Sequence, residues 1–334
     1  MSNTVLYRAA CAVVSIVAMG GVASAAITIE TVPVGNAGNA ADPLTGFGSV
    51  AYAFNIGKYE VTAGQYAAFL TAVAATDTYA LYNTSMSNTA FSSGIARSGS
   101  SGSYIYSVDP AFVNRPVNYV SFGDSMRFGN WLHNGQPTGA QTAGTTEDGT
   151  YFVNGATSDA ALLAVTRKAA ATWAVTSEDE WYKAAYHKNN GTRADYFIYS
   201  TSSDTVPGQD MADVSGNNAN CYVSPYAYPI DSGKYTTLVG EFQNSESPYN
   251  AFDQGGNVWE WNESVTIGSY RGLRGGSISK DDYYLRADLR FGSYPTRENS
   301  DYGFRVSQVP EPGSMAVLAL GVSGLLVRRR RVGR

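Results

Sequence analysis

The sequence predicts one compact α+β domain with little regular secondary structure, flanked by a short sorting segment at each end. Three observations lead to this class. The 334 residues include 35 Gly and 24 Tyr, a composition that favours turns and short strands over long helices. Three segments before residue 190 carry helix-start signals. After the third segment, the chain offers only short apolar runs separated by Gly, Asn and Pro, which are typical of strands.

The three helix starts share one pattern, in which a Thr or Ser is followed three residues later by an acid or an amide. This capping box satisfies the free N–H groups of a first helical turn. The predicted pairs are Thr62 with Gln65, Ser121 with Asp124, and Thr176 with Asp179, the last with an alternative shifted by one residue, Ser177 with Glu180. The second helix is predicted to end at Asn134 and Gly135, ahead of Pro137.

A stretch rich in Ser, Gly and Asn separates the first two predicted helices. It reads NTSMSNTAFSSGIARSGSSGSYIYS at residues 83–107 and predicts a long surface loop. No composition shift divides the chain between residues 26 and 308. A chain of this length can bury a single core, so we predict one domain over residues 26–308.

The amino-terminal residues have the features of a signal peptide. Arg8 precedes the apolar run AACAVVSIVAMGGV, and Ala23-Ser24-Ala25 follows it as a small-residue cleavage site. We predict a signal peptide over residues 1–25 with cleavage after Ala25. A membrane anchor is the alternative, but the apolar run is short for a transmembrane helix.

The carboxyl-terminal residues 309–334 have a different sorting pattern. The segment VPEPGSMAVLALGVSGLLVRRRR joins Pro-Glu-Pro to 13 apolar residues and four arginines. At ~1.5 Å per residue the apolar run spans roughly 20 Å, which is less than the ~30 Å hydrocarbon core of a membrane. The order resembles the PEP-CTERM sorting signal of Gram-negative bacteria, which an exosortase reads. It implies a protein exported across the inner membrane to the cell surface or extracellular matrix.

The charge of the remaining chain excludes one class of partner. Without Arg8, Glu311 and the five arginines after residue 327, 17 basic and 27 acidic residues remain, a net charge of −10. This balance argues against nucleic acid and anionic membranes as partners, and it suits a protein that holds a cation. Cys221 is the one cysteine besides Cys11 of the predicted signal peptide, so no internal disulfide is expected.

Six blocks in order carry a resemblance to a known family: NIGKYEVTAGQYAAFL, RPVNYVSFGDSMRFGNWLHNGQPTG, VTSEDEWYKAAY, GGNVWEWNES, LRGGS and YGFRV. Together they span roughly residues 50–308 and resemble the formylglycine-generating-enzyme, or sulfatase-modifying factor, domain. The resemblance implies a compact mixed α/β fold related to the C-type-lectin-like fold, with low regular secondary structure. It also implies bound structural calcium.

Calcium prefers six to eight hard oxygen ligands from carboxylates, amides and backbone carbonyls. The resemblance implies a first site made by the Asp253 side chain, the carbonyls of Gly256 and Val258, and the Glu260 side chain. The alternative for Glu260 is an ion pair with an arginine such as Arg274 or Arg305. Trp259 and Trp261 on either side of Glu260, and Trp181, are either core residues or a stacking surface for a sugar or peptide.

The resemblance also implies a second calcium site. Asn220 and Cys221 match its first pair of positions, where a side chain and a backbone carbonyl bind the ion. Asp231 and Gly233 are the matching second pair, although their spacing along the chain differs from that of the family.

The catalytic positions of the resembled family differ here. The generating enzymes oxidise a substrate cysteine at a copper(I) ion held by two thiolates, since soft sulfur ligands select that ion. Lys280 and Leu285 occupy the two thiol positions, so formylglycine formation and copper binding are not expected. His133 and His187 are too few for a three-histidine iron site. No catalytic residue is assigned.

The expected function is an exported, calcium-stabilised module with a binding or structural role. Its expected partners are the exosortase-type sorting machinery and an extracellular glycan or peptide. The alternative is an enzyme of the same fold, with an unassigned reaction in the groove near Ser277, Lys280 and Asp281.

Overall fold

The computed structural model describes residues 26–222, 231 and 233–310. The predicted signal peptide and residues 311–334 of the predicted sorting segment lie outside this part. Helices α1–α4 are Ala63–Val73, Phe122–His133, Asp159–Ala164 and Glu178–Tyr186. Strands β1–β10 are Thr31–Val34, Phe54–Gly57, Ile95–Ser98, Ile105–Val108, Trp173–Val175, Trp259–Thr266, Tyr270–Arg274, Phe291–Ser293, Tyr302–Phe304 and Val306–Gln308. Two 3-10 turns cover Thr84–Ser87 and Asp282–Leu285.

The predicted capping boxes start three of the helices. The boxes of Thr62 and Ser121 are present as predicted, and α2 ends at His133 with Asn134 as its C-cap. Helix α4 uses the shifted alternative, because Ser177 accepts a hydrogen bond from the Glu180 N–H at 3.1 Å. The Thr176 prediction was therefore wrong by one residue. The short helix α3 was not predicted.

Three sheets organise the part of the chain that the structure describes. One has the order β1-β2-β10-β5, a second has the order β8-β7-β6-β9, and β3 pairs with β4 as a separate hairpin. Within the second sheet β6 is antiparallel to β7 and parallel to β9. Glu260 on β6 lies opposite Arg274 on β7 and Gly303 on β9. This register brings the segment after β9, which contains Arg305, next to Glu260.

Residues 83–107 are not one continuous loop, contrary to the prediction. They contain the first 3-10 turn, and they include β3 and most of β4, which form a hairpin. Two apolar side chains explain the difference, because Ile95 and Tyr106 are buried in the main core. The Tyr106 hydroxyl also donates to the Ala74 carbonyl at 2.8 Å. These contacts order a segment whose composition alone is typical of loops.

The main core lies between α1, α2 and the strands of the second sheet. Trp181, Trp259 and Trp261 are all buried, so the core interpretation of these tryptophans is correct and the stacking-surface interpretation is wrong. None of the helices within the described ranges is long and apolar enough to cross a membrane.

Candidate functional site

The GGNVWEWNES block forms a tight approach of two chain segments followed by β6. Gly256 has φ +89°, and a Cβ at this position would lie 2.3 Å from the Asn220 carbonyl oxygen. Only glycine permits this contact. The block therefore places the segment around Asn220 directly against the start of β6, where the predicted ligands of both calcium sites meet.

Glu260 is fully buried and has donors on both carboxylate oxygens. Arg305 binds it in a bidentate pair, with Nε 2.6 Å from Oε2 and Nη2 2.7 Å from Oε1. The Trp181 indole N–H donates to Oε2 at 2.7 Å. Of the two arginines considered for Glu260, the structure selects Arg305, because Arg274 pairs with Glu178 instead.

Asp253 lies a short distance along the chain from Glu260 and is only partly buried. Its backbone has φ +60°, and its Oδ2 accepts from the Gly240 N–H at 2.6 Å. Burial raises the pKa of Asp253 to about 6. A cavity of about 10 Å³ lies beside Asp253, enough for roughly one water molecule. Its other polar walls come from Ser200, Thr201, Asn218 and Ser245.

Glu60 is a buried acid that the sequence analysis did not single out. Its side chain is 2% exposed, and neither carboxylate oxygen has a hydrogen-bond partner. Burial, and then the negative charge of Asp253, raises the pKa of Glu60 well above its usual range. The sequence pointed to Glu60 only by its position in the KYEV stretch, between Tyr59 and the buried Val61. We call Glu60, Asp253, Glu260 and Arg305 the charged centre.

The charged centre contains three carboxylates and one guanidinium. A buried charge without a partner costs several kcal/mol, so this excess of negative charge suits a bound cation. In residues 26–222, 231 and 233–310, no three His, Cys, Asp or Glu side chains could hold a metal ion together. A cation here would therefore take fewer carboxylates and complete its shell with carbonyls and water. Calcium accepts such a set, and these residues fit it.

The second predicted calcium site has a different environment. The Asn220 amide donates to the Tyr235 carbonyl at 3.0 Å and to Asn257 Oδ1 at 3.1 Å. Asp231 forms an ion pair with Arg115. Cys221 is buried and Gly233 is exposed. Residues 223–230 and 232, which separate the two pairs, lie outside the described residues, so this second site stays a prediction.

The groove segment, residues 275–285, contains the residues of the predicted alternative reaction. Ser277 is buried, and its hydroxyl donates to Asp301 Oδ2 at 2.8 Å. Ser279 donates to the same oxygen at 2.6 Å, and the two hydroxyls are 3.0 Å apart. Asp301 Oδ1 is buried without a partner. The Lys280 ammonium lies over the Tyr284 ring, 5.4 Å from its centroid.

Leu285 and Cys221 pack together at the end of the groove segment. Both are 1% exposed, and they share an apolar cluster with Tyr199 and Ala219. A Cβ on Gly276 would lie 2.7 Å from Leu285 Cδ1, so Leu285 fits closely under this turn. Burial, followed by the charges of Asp282 and Asp281, raises the pKa of Cys221 to about 12. The thiol is therefore protonated and enclosed.

Comparison with known families agrees with this architecture. The family described as the sulfatase-modifying factor enzyme 1-like domain matches residues 31–309. The chain belongs to this family. A second match, to the PEP-CTERM protein-sorting motif, covers residues 308–331. This motif is a sorting signal recognised by an exosortase, and it marks a protein exported across the inner membrane.

Three solved structures are similar to this member of the sulfatase-modifying factor family. The structure titled "Crystal Structure of CarF" has 20% identity and a TM-score of 0.50, and the match covers 85% of this chain and 99% of CarF. Treponema denticola variable protein 1 has 17% identity and a TM-score of 0.47, with coverage of 85% and 98%. PvdO from Pseudomonas aeruginosa has 18% identity and a TM-score of 0.43, with coverage of 80% and 83%. A comparison with curated proteins found no match.

The predicted fold class is therefore confirmed as that of the formylglycine-generating-enzyme-like domain. The finer relation to the C-type-lectin-like fold stays a prediction, as do the domain boundaries at residues 25 and 308.

Proposed function

We propose that the protein is an exported, calcium-stabilised member of the sulfatase-modifying factor family with a binding or structural role rather than formylglycine-forming activity. The resemblance places Lys280 and Leu285 at the positions of the copper thiols. One observation supports the proposal, since the Leu285 side chain is enclosed in an apolar cluster.

The chemistry of these side chains supports the loss of copper. A copper(I) ion in this family is held by two thiolates, and neither a protonated lysine nor an alkyl group replaces them. Cys221 packs against Leu285, but burial raises its pKa to about 12 and leaves one protonated thiol. The copper site of this family needs two thiolates, and a single cysteine does not supply them.

Copper(I) titration of the full chain tests this proposal, together with turnover of a cysteine-containing sulfatase peptide. We expect no tight stoichiometric binding and no aldehyde product from the native protein. The Cys221→Ser variant is the matched control and is expected to behave identically. One equivalent of tightly bound copper(I) that disappears in Cys221→Ser, or any aldehyde product, would overturn the proposal.

Calcium is the proposed structural ion of the charged centre. Asp253, the carbonyls of Gly256 and Val258, and Glu260 are its proposed first ligand set, and the negative charge excess of the centre supports it. The ion would link the turn before β6 to the sheet. A second ion at Asn220, Cys221, Asp231 and Gly233 is proposed on the resemblance alone.

Thermal unfolding with calcium and with chelator tests the calcium proposal. A ligand at 100 times its Kd stabilises a protein by about 2.7 kcal/mol, so saturating calcium is expected to raise the Tm by several degrees. Asp253→Asn is expected to remove most of this rise while changing no atom of the Glu260–Arg305 pair. Equal melting of the native protein in calcium and in chelator would contradict the proposal.

The enzyme alternative is favoured by one observation, the unpartnered Asp301 Oδ1 beside two serine hydroxyls. A screen of extracellular glycans and peptides separates the two functions. Saturable binding without chemical change supports the module, and release of a modified product that is lost in Asp301→Asn supports the enzyme. The proposed site of action is the cell surface or extracellular matrix.

A further inference from the structure

Glu60 lies beside the segment that contains Asp253. The Phe252 N–H donates to the Lys58 carbonyl at 2.8 Å, so the residues that precede Glu60 and Asp253 are hydrogen-bonded neighbours. Glu60 is the second residue after Lys58, and Asp253 directly follows Phe252. The backbone therefore brings the two acids to the same part of the charged centre.

Arg305 is close to Glu60 but is bound to other groups. The Val61 N–H donates to the Phe304 carbonyl at 2.9 Å, which places Glu60 next to the residue before Arg305. The guanidinium directs Nε and Nη2 to Glu260, and Nη1 to the Gly57 carbonyl at 2.8 Å. Glu60 is left without a hydrogen-bond donor although a cation is nearby.

Protonation of Glu60 would not satisfy the hydrogen-bonding groups of its side chain. A protonated carboxyl would still have a buried hydroxyl without an acceptor and a buried carbonyl oxygen without a donor. Each unmade hydrogen bond of this kind costs about 1–3 kcal/mol. A hard cation, in contrast, binds carboxylate oxygen directly and removes the excess negative charge of the centre.

Solvent can reach this part of the molecule. A surface cavity of about 780 Å³ is lined in part by Glu60, with Tyr59 and Val61 beside it and Glu30 and Gln65 on other walls. The cavity brings solvent as far as Glu60, whose two carboxylate oxygens are themselves buried.

We propose that Glu60 is a further ligand of the cation at the charged centre and supplies a carboxylate oxygen in addition to that of Asp253. The inference rests on the calcium site proposed above and revises its ligand set. Glu60 replaces Glu260 as the second carboxylate beside Asp253, because both Glu260 oxygens are taken by Arg305 and Trp181.

Isothermal titration with CaCl₂ tests the role of Glu60 in the full chain. Glu60→Gln is nearly isosteric and removes the charge, so calcium affinity is expected to fall at least about tenfold. Glu30→Gln is the matched control. Glu30 lines the same cavity, but it is exposed and paired with Lys58. This variant removes an equal charge, and its calcium affinity is expected to stay within about twofold of the native value.

Thermal unfolding gives a second, independent result. In chelator, Glu60→Gln is expected to melt close to the native temperature, because the isosteric amide is as poorly hydrogen-bonded there as the carboxyl group that it replaces. In calcium, its stabilisation is expected to be smaller than that of the native protein. A side chain with only a packing role would change the melting temperature equally in the two conditions.

Each outcome distinguishes the inference from the proposed function. Native calcium binding that is unchanged in Glu60→Gln overturns the role of Glu60 and leaves the calcium site standing. Absence of calcium binding by the native protein overturns both. An equal fall of the Glu60→Gln melting temperature in calcium and in chelator also overturns the role of Glu60, since the change would then act on packing alone.

Discussion

The charged centre and the groove segment are two parts of one fold whose buried side chains are stabilised by opposite means. In the charged centre, Glu260 has donors on both oxygens from Arg305 and Trp181. In the groove segment, Leu285 and Cys221 form an apolar cluster where the resemblance places a thiol site. The comparison shows that charge pairing organises the one region, whereas apolar packing organises the other, a difference that the proposed loss of the sulfur-based site would explain.

The largest expected effect comes from breaking the ionic pair of the charged centre. Arg305→Met leaves the buried Glu260 without its bidentate partner, so the free energy of unfolding is expected to fall by about 3–5 kcal/mol. Denaturant unfolding measures this change. Arg286→Met is the control, because Arg286 pairs with Asp288 at the surface and is expected to change stability by less than about 1 kcal/mol. A loss of stability no greater in Arg305→Met than in the control would contradict the importance of the pair.

The groove segment is expected to depend on packing instead of charge. Leu285→Ala opens a cavity beside Cys221 and Gly276, and is expected to lower the free energy of unfolding by about 2–5 kcal/mol. Lys280→Ala, five residues away, is expected to change it by no more than about 0.5 kcal/mol. Denaturant titration of both variants gives the comparison. Equal effects would mean that Leu285 has no special packing role.

Trp181 is a neutral hydrogen-bond donor to the charged centre. Its replacement measures how much one uncharged donor contributes beside the Arg305 pair. Trp181→Phe keeps an aromatic ring but removes the indole N–H that lies 2.7 Å from Glu260 Oε2. The expected loss is about 1–3 kcal/mol, smaller than that of Arg305→Met. The free energy of unfolding of the double variant, Trp181→Phe with Arg305→Met, indicates whether the two donors act together. Fully additive losses would contradict a shared role at Glu260.

Replacement of Glu298 is expected to have the smallest effect on stability. This acid lies outside both regions and serves as a reference for them. Burial, and then the Asp124 charge, raises the pKa of Glu298 from 4.5 to about 8. The unfolded chain ionises first as pH rises, so the folded state binds more protons between these values and stability falls with rising pH. Glu298→Gln is expected to reduce this loss of stability by about 1 kcal/mol. Denaturant unfolding across the pH range between the two pKa values measures the change. An unchanged pH dependence would show that Glu298 is not the titrating group.

Much of the fold was predictable because its signals are local. The capping residues Thr62 and Ser121 start α1 and α2 as predicted, since their hydrogen bonds involve residues three positions away. The β3–β4 hairpin was missed because it depends on burial of Ile95 and Tyr106 against distant parts of the core. Composition does not reveal such contacts.

The candidate site was only partly predictable for the same reason. Glu260 stood out between two tryptophans, and its arginine partner was one of two considered. Glu60 was missed because its importance comes from Asp253 and Arg305, which lie 193 and 245 residues further along the chain. An acid in a short strand-like stretch gives no sign of a partner that only the tertiary structure supplies.

The most direct test of the account is the metal content of the purified, folded protein, measured by elemental mass spectrometry after exhaustive dialysis. The account predicts bound calcium in the native protein, less of it in Asp253→Asn and Glu60→Gln, and no copper above background in any of the three. A folded native protein that contains no calcium, or one that retains stoichiometric copper, would contradict it.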